Sequence, residues 1–259
     1  MTERLVGKKE GALGWIVFNN PERRNAVSLD MWQAIPPVLE DFEKDPNIRV
    51  VVLAGAGDKA FISGADISQF EKQRSSKEAV QRYEDISEAA QAKLAGCEKP
   101  VVAMIRGYCL GAGVNVANSC DLRIAADDAR FGIPAGKMGL GYRATSMQKL
   151  VDAVGAPFAR EIMLTARHFT AAEALHMGLV HRVVSSSELE SFTRKYCEDI
   201  AANAPLTLRA AKRTIREVSK REYDAELCRS WVKECFESED YAEGRRAFME
   251  KRKPQFKGK

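Results

Sequence analysis

Short apolar runs alternate with longer, helix-compatible stretches over the first half of the chain. Leu13–Phe18, residues 50–54 and Val101–Ile105 are apolar from end to end. Runs of this length, bounded by turn formers, predict strands buried on both faces. Between them, residues 29–44, 68–95 and the run from Val114 predict helices. Ser28 or Asp30 is suited to start the first, and Pro36 with Pro37 predicts a break or kink inside it. Asp45-Pro46-Asn47 reads as the turn before the strand at 50–54. The alternation persists to about residue 135, which predicts an α/β fold with largely parallel strands.

The second half has a different rhythm. Residues 145–154, 157–164 and 170–177 predict short helices, and 178–184 one more strand. From there 187–203, Pro205–Val218, 222–237 and 239–251 read as helices, with Pro205 well placed at a helix start. No Gly/Ser-rich or repeated segment separates the halves. The division expected is a core over residues 1–200 and a helical C-terminal region over 201–259.

Two of the apolar runs end in the same way. After 50–54 comes Phe61-Ile-Ser-Gly-Ala-Asp-Ile67; after Val101–Ile105 comes Arg106-Gly-Tyr-Cys-Leu-Gly-Ala-Gly113. In both, a strand meets small residues, turns, and leads into a helix. Such a turn leaves backbone N–H groups without a protein acceptor, and two of them aimed at one point hold an oxygen that gains negative charge. Simple tight packing is the other reading of each turn. Gly111-Ala-Gly113 is not a dinucleotide loop: the third glycine is missing, and Asp121 comes too early to reach a ribose. Asp66 has two readings, helix cap or base.

Bulk properties narrow the partners. The 259 residues are 45% hydrophobic, enough for one large core, alone or with a helical appendage. Net charge is +4 and the pI about 8.7, with the positive charges interspersed among 36 acids. This implies no nucleic acid, only a mild pull on an anionic ligand. The six cysteines show no CxxC spacing. With no secretory or transit signal, they are expected as free thiols in a reducing, cytoplasmic setting. No apolar run approaches the roughly 20 residues that span a bilayer. His168, His176 and His181 have the spacing of neither a triad nor a metal site.

The two turn motifs, with Lys99-Pro-Val-Val101 before the second, resemble the crotonase family of enoyl-CoA hydratases and isomerases. The likeness continues in order through Cys120-Asp-Leu-Arg-Ile-Ala-Ala126, Phe131-Gly-Ile-Pro134, Leu164-Thr-Ala166, Ala171-Ala-Glu-Ala-Leu175, Gly178-Leu-Val180 and Glu250-Lys-Arg-Lys-Pro254. It implies a spiral of ββα units with a helical C-terminal region. It also implies an oxyanion hole from the N–H groups of Ala65 and Ala112, acting on an acyl-CoA thioester. Arg23, Arg24 and Ala26 match the nucleotide end of CoA; Ala65, Asp66, Ile67, Ser68 and Ala112 match acyl and pantetheine contacts. Phe248 and Lys251 match residues that reach CoA from a neighbouring subunit, at a spacing that puts both on one helix face. That implies a homotrimer or a dimer of trimers. No separate cofactor is implied, since CoA is part of the substrate.

The chain departs from its relatives at the acid–base positions. Where the hydratases carry two glutamates, this sequence has Asn115 and Ala135. An amide positions water but is no base, and a methyl group does neither. Tyr142 resembles a tyrosine of methylmalonyl-CoA decarboxylase, which also lacks both glutamates and has a similar C-terminal stretch; it carries histidine where this chain has Ala65. Tyr142 also reads as a packing residue with a satisfied hydroxyl. Arg143 reads as partner to a substrate carboxylate or to a surface acid. The reaction expected is that of an enoyl-CoA hydratase. The alternatives are decarboxylation of the methylmalonyl-CoA type, or acyl-CoA binding without turnover.

Overall fold

A computed structural model describes residues 2–66 and 76–259. Of the helix expected over 68–95, the part from Lys77 is described; the expectations for Ile67 and Ser68 lie outside the described residues.

The chain begins with an antiparallel hairpin, β1 (Leu5–Glu10) and β2 (Leu13–Phe18), that turns at Gly11 with φ 58°. Helix α1 (Leu29–Lys44) follows, and β3 (Val50–Gly55) returns parallel to β2. Three times the chain then repeats one move. A strand in a large sheet is followed by a short strand in a small sheet, then by a helix. The first round is β3, β4 (Ala60–Ile62) and α2 (Lys77–Gly96). The second is β5 (Val101–Ile105), β6 (Tyr108–Leu110) and α3 (Ala112–Asn118). The third is β7 (Leu122–Ala126), β8 (Arg130–Gly132) and, past a 3₁₀ turn at Pro134–Met138, α4 (Ala144–Thr165). The small sheet closes with β9 (Phe169–Thr170). Helix α5 (Ala171–His176) then leads to β10 (Arg182–Val184). The large sheet runs β1-β2-β3-β5-β7-β10, parallel after its first pair; the small one runs β4-β6-β8-β9. This is the ββα spiral of the crotonase fold.

The apolar runs are continuous because the large sheet is covered on both faces. Val51 and Leu53 of β3 join Ile35 and Leu39 of α1 in the main core. Val50, Val52 and Ala54 face the other way, onto Leu189 and Cys197 of α6 (Leu189–Ala201). All six cysteines are free thiols, four of them buried.

Pro36 and Pro37 do not break α1, which runs unbroken from Leu29 to Lys44. An interior proline costs about 3 kcal/mol. The opposite face buries Met31, Trp32, Ile35, Val38, Leu39 and Phe42, each large side chain contributing roughly 1.5–3 kcal/mol. Packing outweighs propensity. The helices expected at 145–154 and 157–164 form one element bent at Gly155, whose φ of 72° and ψ of 162° are non-helical.

The C-terminal region comprises α7 (Pro205–Val218), α8 (Ala225–Phe236) and α9 (Glu239–Met249). Lys212 fastens α7 to the core, donating to Lys99 O (2.6 Å) and pairing with Asp121 (2.5 Å). The last helix stops before the expected residue 251. Lys251 has φ 55°, its N–H donates to Phe248 O, and the Arg252 N–H donates to Ala247 O. That pair of bonds is a Schellman cap, with a lysine in the left-handed place glycine usually takes. Lys251 therefore does not share a helix face with Phe248. No described helix is long and apolar enough to cross a membrane.

Candidate active site

A cavity of about 720 Å³ lies where both glycine turns meet α2 and the loop before α4. One wall is backbone. Past β4, Gly64 adopts φ 133°, and Ala65 forms a parallel bridge with Val27. The bridge is made by Val27 N–H to Gly64 O and Asp66 N–H to Val27 O, both 2.9 Å. Residues alternate along such a ladder, so the N–H of Ala65 itself faces the opposite side, toward the cavity it lines. At the second turn Gly111 takes φ 51°, and its N–H is used by Gly132 O at 2.9 Å. Helix α3 starts directly after it, at Ala112 rather than at Val114. As the first helical residue, Ala112 has no intrahelical acceptor for its N–H.

Gly113 fixes how these two segments sit together. A Cβ there would lie 2.4 Å from Ile62 O. The backbones of β4 and α3 are thus in direct contact, and only glycine permits it.

The facing groups are side chains. Asn115 lies on α3, one turn beyond the Ala112 amide. The Tyr142 hydroxyl donates to Asn115 Oδ1 at 2.8 Å and lies 3.3 Å from Gly111 O. With Oδ1 engaged, Asn115 offers its Nδ2 hydrogens. Burial pushes the Tyr142 phenol well up, and the bond to Asn115 offsets only part of the effect. It stays protonated at neutral pH and acts as a donor. Ala135, buried in the 3₁₀ turn, adds only a methyl group to the lining. Arg143 is tied to α2: it donates to Glu84 O (2.8 Å) and Ser87 Oγ (2.9 Å), and pairs with Glu88 at 3.4 Å.

The residues expected at the CoA end separate. Arg23, Ala26 and Asp66 line the cavity, and Arg23 pairs with the buried Asp66 at 3.4 Å. Arg24 does not join them. Its φ of 51° turns it the other way, its guanidinium lies 5.2 Å from the Tyr108 ring centre, and it borders a separate hollow with Lys59. The segment Asp66 leads into lies outside the described residues. Phe248 is 82% exposed on α9 and lines a groove beside Phe256, apart from the cavity. The histidines pack elsewhere: His168 against Tyr108, His176 against Phe158, and His181 as acceptor for the Arg123 N–H (3.0 Å). Among the described residues no group of three His, Cys, Asp or Glu side chains converges as a metal requires.

Sequence reasoning missed the inner face of α2. Tyr83, Glu84, Ser87 and Gln91 all line the cavity, and Tyr83 accepts a 3.0 Å bond from the Trp32 indole. The signal was present as a row at i, i+3 and i+7 (Glu84, Ser87, Gln91), spacing that shares a helix face.

Comparison with known proteins gives the family and the fold. The profile of the Enoyl-CoA hydratase/isomerase family matches residues 8–259. A short-chain-enoyl-CoA hydratase of Clostridium acetobutylicum is 34% identical over 251 residues, covering 96% of this chain and 95% of that one. A crotonyl-CoA hydratase of Syntrophomonas wolfei is 32% identical, covering 98% of each. The crystal structure of an enoyl-CoA hydratase/isomerase family protein from Hyphomonas neptunium superposes with a TM-score of 0.95 at 36% identity, over 99% of this chain and 98% of that one. The chain belongs to the enoyl-CoA hydratase/isomerase family.

Proposed function

We propose that this protein hydrates a 2-enoyl-CoA, holding the thioester oxygen between the N–H groups of Ala65 and Ala112. The observation that carries the reading is the bridge from Val27 to Ala65. It consumes the neighbouring polar groups and turns the Ala65 amide toward the cavity that the free end of α3 also borders. When water adds to C3 of the enoyl group, negative charge moves onto the thioester oxygen. A single preorganised donor at such an oxygen contributes about 2.7–4 kcal/mol to the barrier reduction. Asn115 Nδ2 supplies a donor alongside, with the Tyr142 hydroxyl holding the amide through its Oδ1, and neither side chain is a base.

Arg23 is the cation at the CoA end, Arg24 having turned away. The cytoplasmic setting expected from the sequence accords with the buried free thiols. Self-association through the C-terminal region is part of the proposal. Ile215, Phe236, Phe248 and Met249 are all exposed there, an apolar surface that a neighbouring copy would cover. A trimer in which Phe248 and Lys251 serve an adjacent cavity fits both the surface and the family resemblance.

The test is a panel of acyl-CoA thioesters, including 2-enoyl and malonyl-type forms, read by mass spectrometry. A 2-enoyl-CoA is expected to gain the mass of one water. Loss of carbon dioxide from a malonyl-type thioester, or binding of every thioester without turnover, would replace the proposal with one of its alternatives. Light scattering reads the trimer, and a monomer at micromolar concentration removes it.

A further inference from the structure

Hydration needs a group that takes a proton from water, and positions 115 and 135 hold an amide and a methyl. We propose that Glu84 supplies this acid–base function from helix α2, a different element from those carrying the family's glutamate positions. The inference rests on the hydration reading above.

Among the described residues two carboxylates line the cavity, Asp66 and Glu84. Asp66 is 6% exposed and paired with Arg23. Glu84 is half-buried, and its carboxylate makes no hydrogen bond or ion pair among the described residues. Its backbone, by contrast, is pinned. The Glu84 carbonyl accepts from Arg143 Nη1 at 2.8 Å and from Ser87 Oγ at 3.0 Å, and Ser87 Oγ accepts from Arg143 Nη2 at 2.9 Å. Glu88, one turn on, is taken by Arg143 at 3.4 Å. The helix side is fixed as well: Ser87 and Gln91, on the same stripe, are 1% and 5% exposed, while Gln81, Arg82 and Asp85 face outward. The result is a held backbone with a free carboxylate at the cavity, as a general base requires.

The step balances with one carboxylate. Glu84 takes a proton from a water positioned by Asn115 Nδ2, and the water oxygen bonds to C3. The C2–C3 π pair shifts to give the enolate, its oxygen held by the two amides. The proton on Glu84 then passes to C2, the thioester carbonyl reforms and the carboxylate is regenerated. One water has been added across C2–C3, with no other reactant.

The experiment compares the unaltered protein with Glu84→Gln and Glu84→Ala on crotonyl-CoA, with circular dichroism as the folding control. Both variants are expected to lose about 10²–10⁴-fold in kcat, while calorimetric affinity for butyryl-CoA, which cannot be hydrated, changes less than about threefold. Added formate is expected to restore part of the rate to Glu84→Ala and none to Glu84→Gln. Three results overturn the assignment: Glu84→Gln turning over within about threefold of the unaltered protein, butyryl-CoA affinity falling together with kcat, or no rescue by formate. If the unaltered protein hydrates no 2-enoyl-CoA, the proposed function itself fails and Glu84 with it. That outcome is recognised before any variant is made.

Discussion

The wall of the cavity that carries Ala65 and Ala112 is made of backbone; the wall that carries Glu84, Tyr142 and Arg143 is made of side chains. The first depends on where glycines stand. Gly64, Gly111 and Gly113 set the turns and the close contact, and the donors survive nearly any side chain at 65 or 112. The second depends on residue identity, since each group acts through its own functional atoms. On the proposed function, charge stabilisation and proton transfer are encoded separately, so one can change while the other persists. Asn115 and Ala135, at the positions where the family resemblance implies glutamates, are expected to be a case of this form.

The contrast is broken most sharply by removing a backbone donor. Ala112→Pro is the clean variant, because proline is well tolerated at the first helical position and lacks the N–H. The expected loss is about 10²–10³-fold in kcat for crotonyl-CoA, with an unchanged circular dichroism spectrum. A side-chain change that keeps the amide, Ala112→Ser, makes the control and should cost little. Next is Gly113→Ala. Its methyl must displace the Ile62 carbonyl, so a loss of about 1–3 kcal/mol is expected by urea denaturation, with a fall in kcat as the two amides shift apart. An unaltered melting profile would show that β4 and α3 do not touch as described.

On the side-chain wall, Tyr142→Phe removes the donor to Asn115 Oδ1 and frees the amide to rotate. About 1 kcal/mol of stability and roughly tenfold in kcat are expected to go, by thermal melting and initial rates. Full activity would leave Tyr142 as packing alone. The smallest effect separates two neighbours. Arg23→Glu should weaken CoA binding about three- to tenfold by calorimetry, and Arg24→Glu should leave it unchanged, because only Arg23 borders the cavity. Equal effects would put the CoA phosphates on the other side of the turn.

The sequence was readable where one physical cause dominates. The apolar runs at β3 and β5 signal strands covered on both faces, and Gly64 and Gly111 signal positive φ. The strands β6 and β8 were not readable as such, since three residues are too few to show a period. Arg24 and Lys251 are non-glycine residues with positive φ, which neither the family resemblance nor spacing along the chain reveals; Arg24 borders a separate hollow, and Lys251 leaves the helix face that it was expected to share with Phe248. Glu84 was hidden among acids. Nothing local distinguishes it from Asp85 or Glu88; only the placement of α2 against Arg143 does.

Arg123 gives the cavity a property that depends on ionic strength, or rather on its irrelevance. This guanidinium is 7% exposed and donates to three carbonyls: Leu179 at 2.7 Å, Cys120 at 3.0 Å and Ala117 at 3.3 Å. It sits at the negative end of α3, whose positive end presents the Ala112 amide, and a cation there reinforces the helix dipole. Arg23, whose side chain is 55% exposed, holds its charge near water. At 1 M salt the screening length is about 3 Å, which mutes Arg23 but does not penetrate to a buried cation. Salt should therefore raise KM and leave kcat in place, so that a salt titration separates the groups that hold the substrate from the field that converts it.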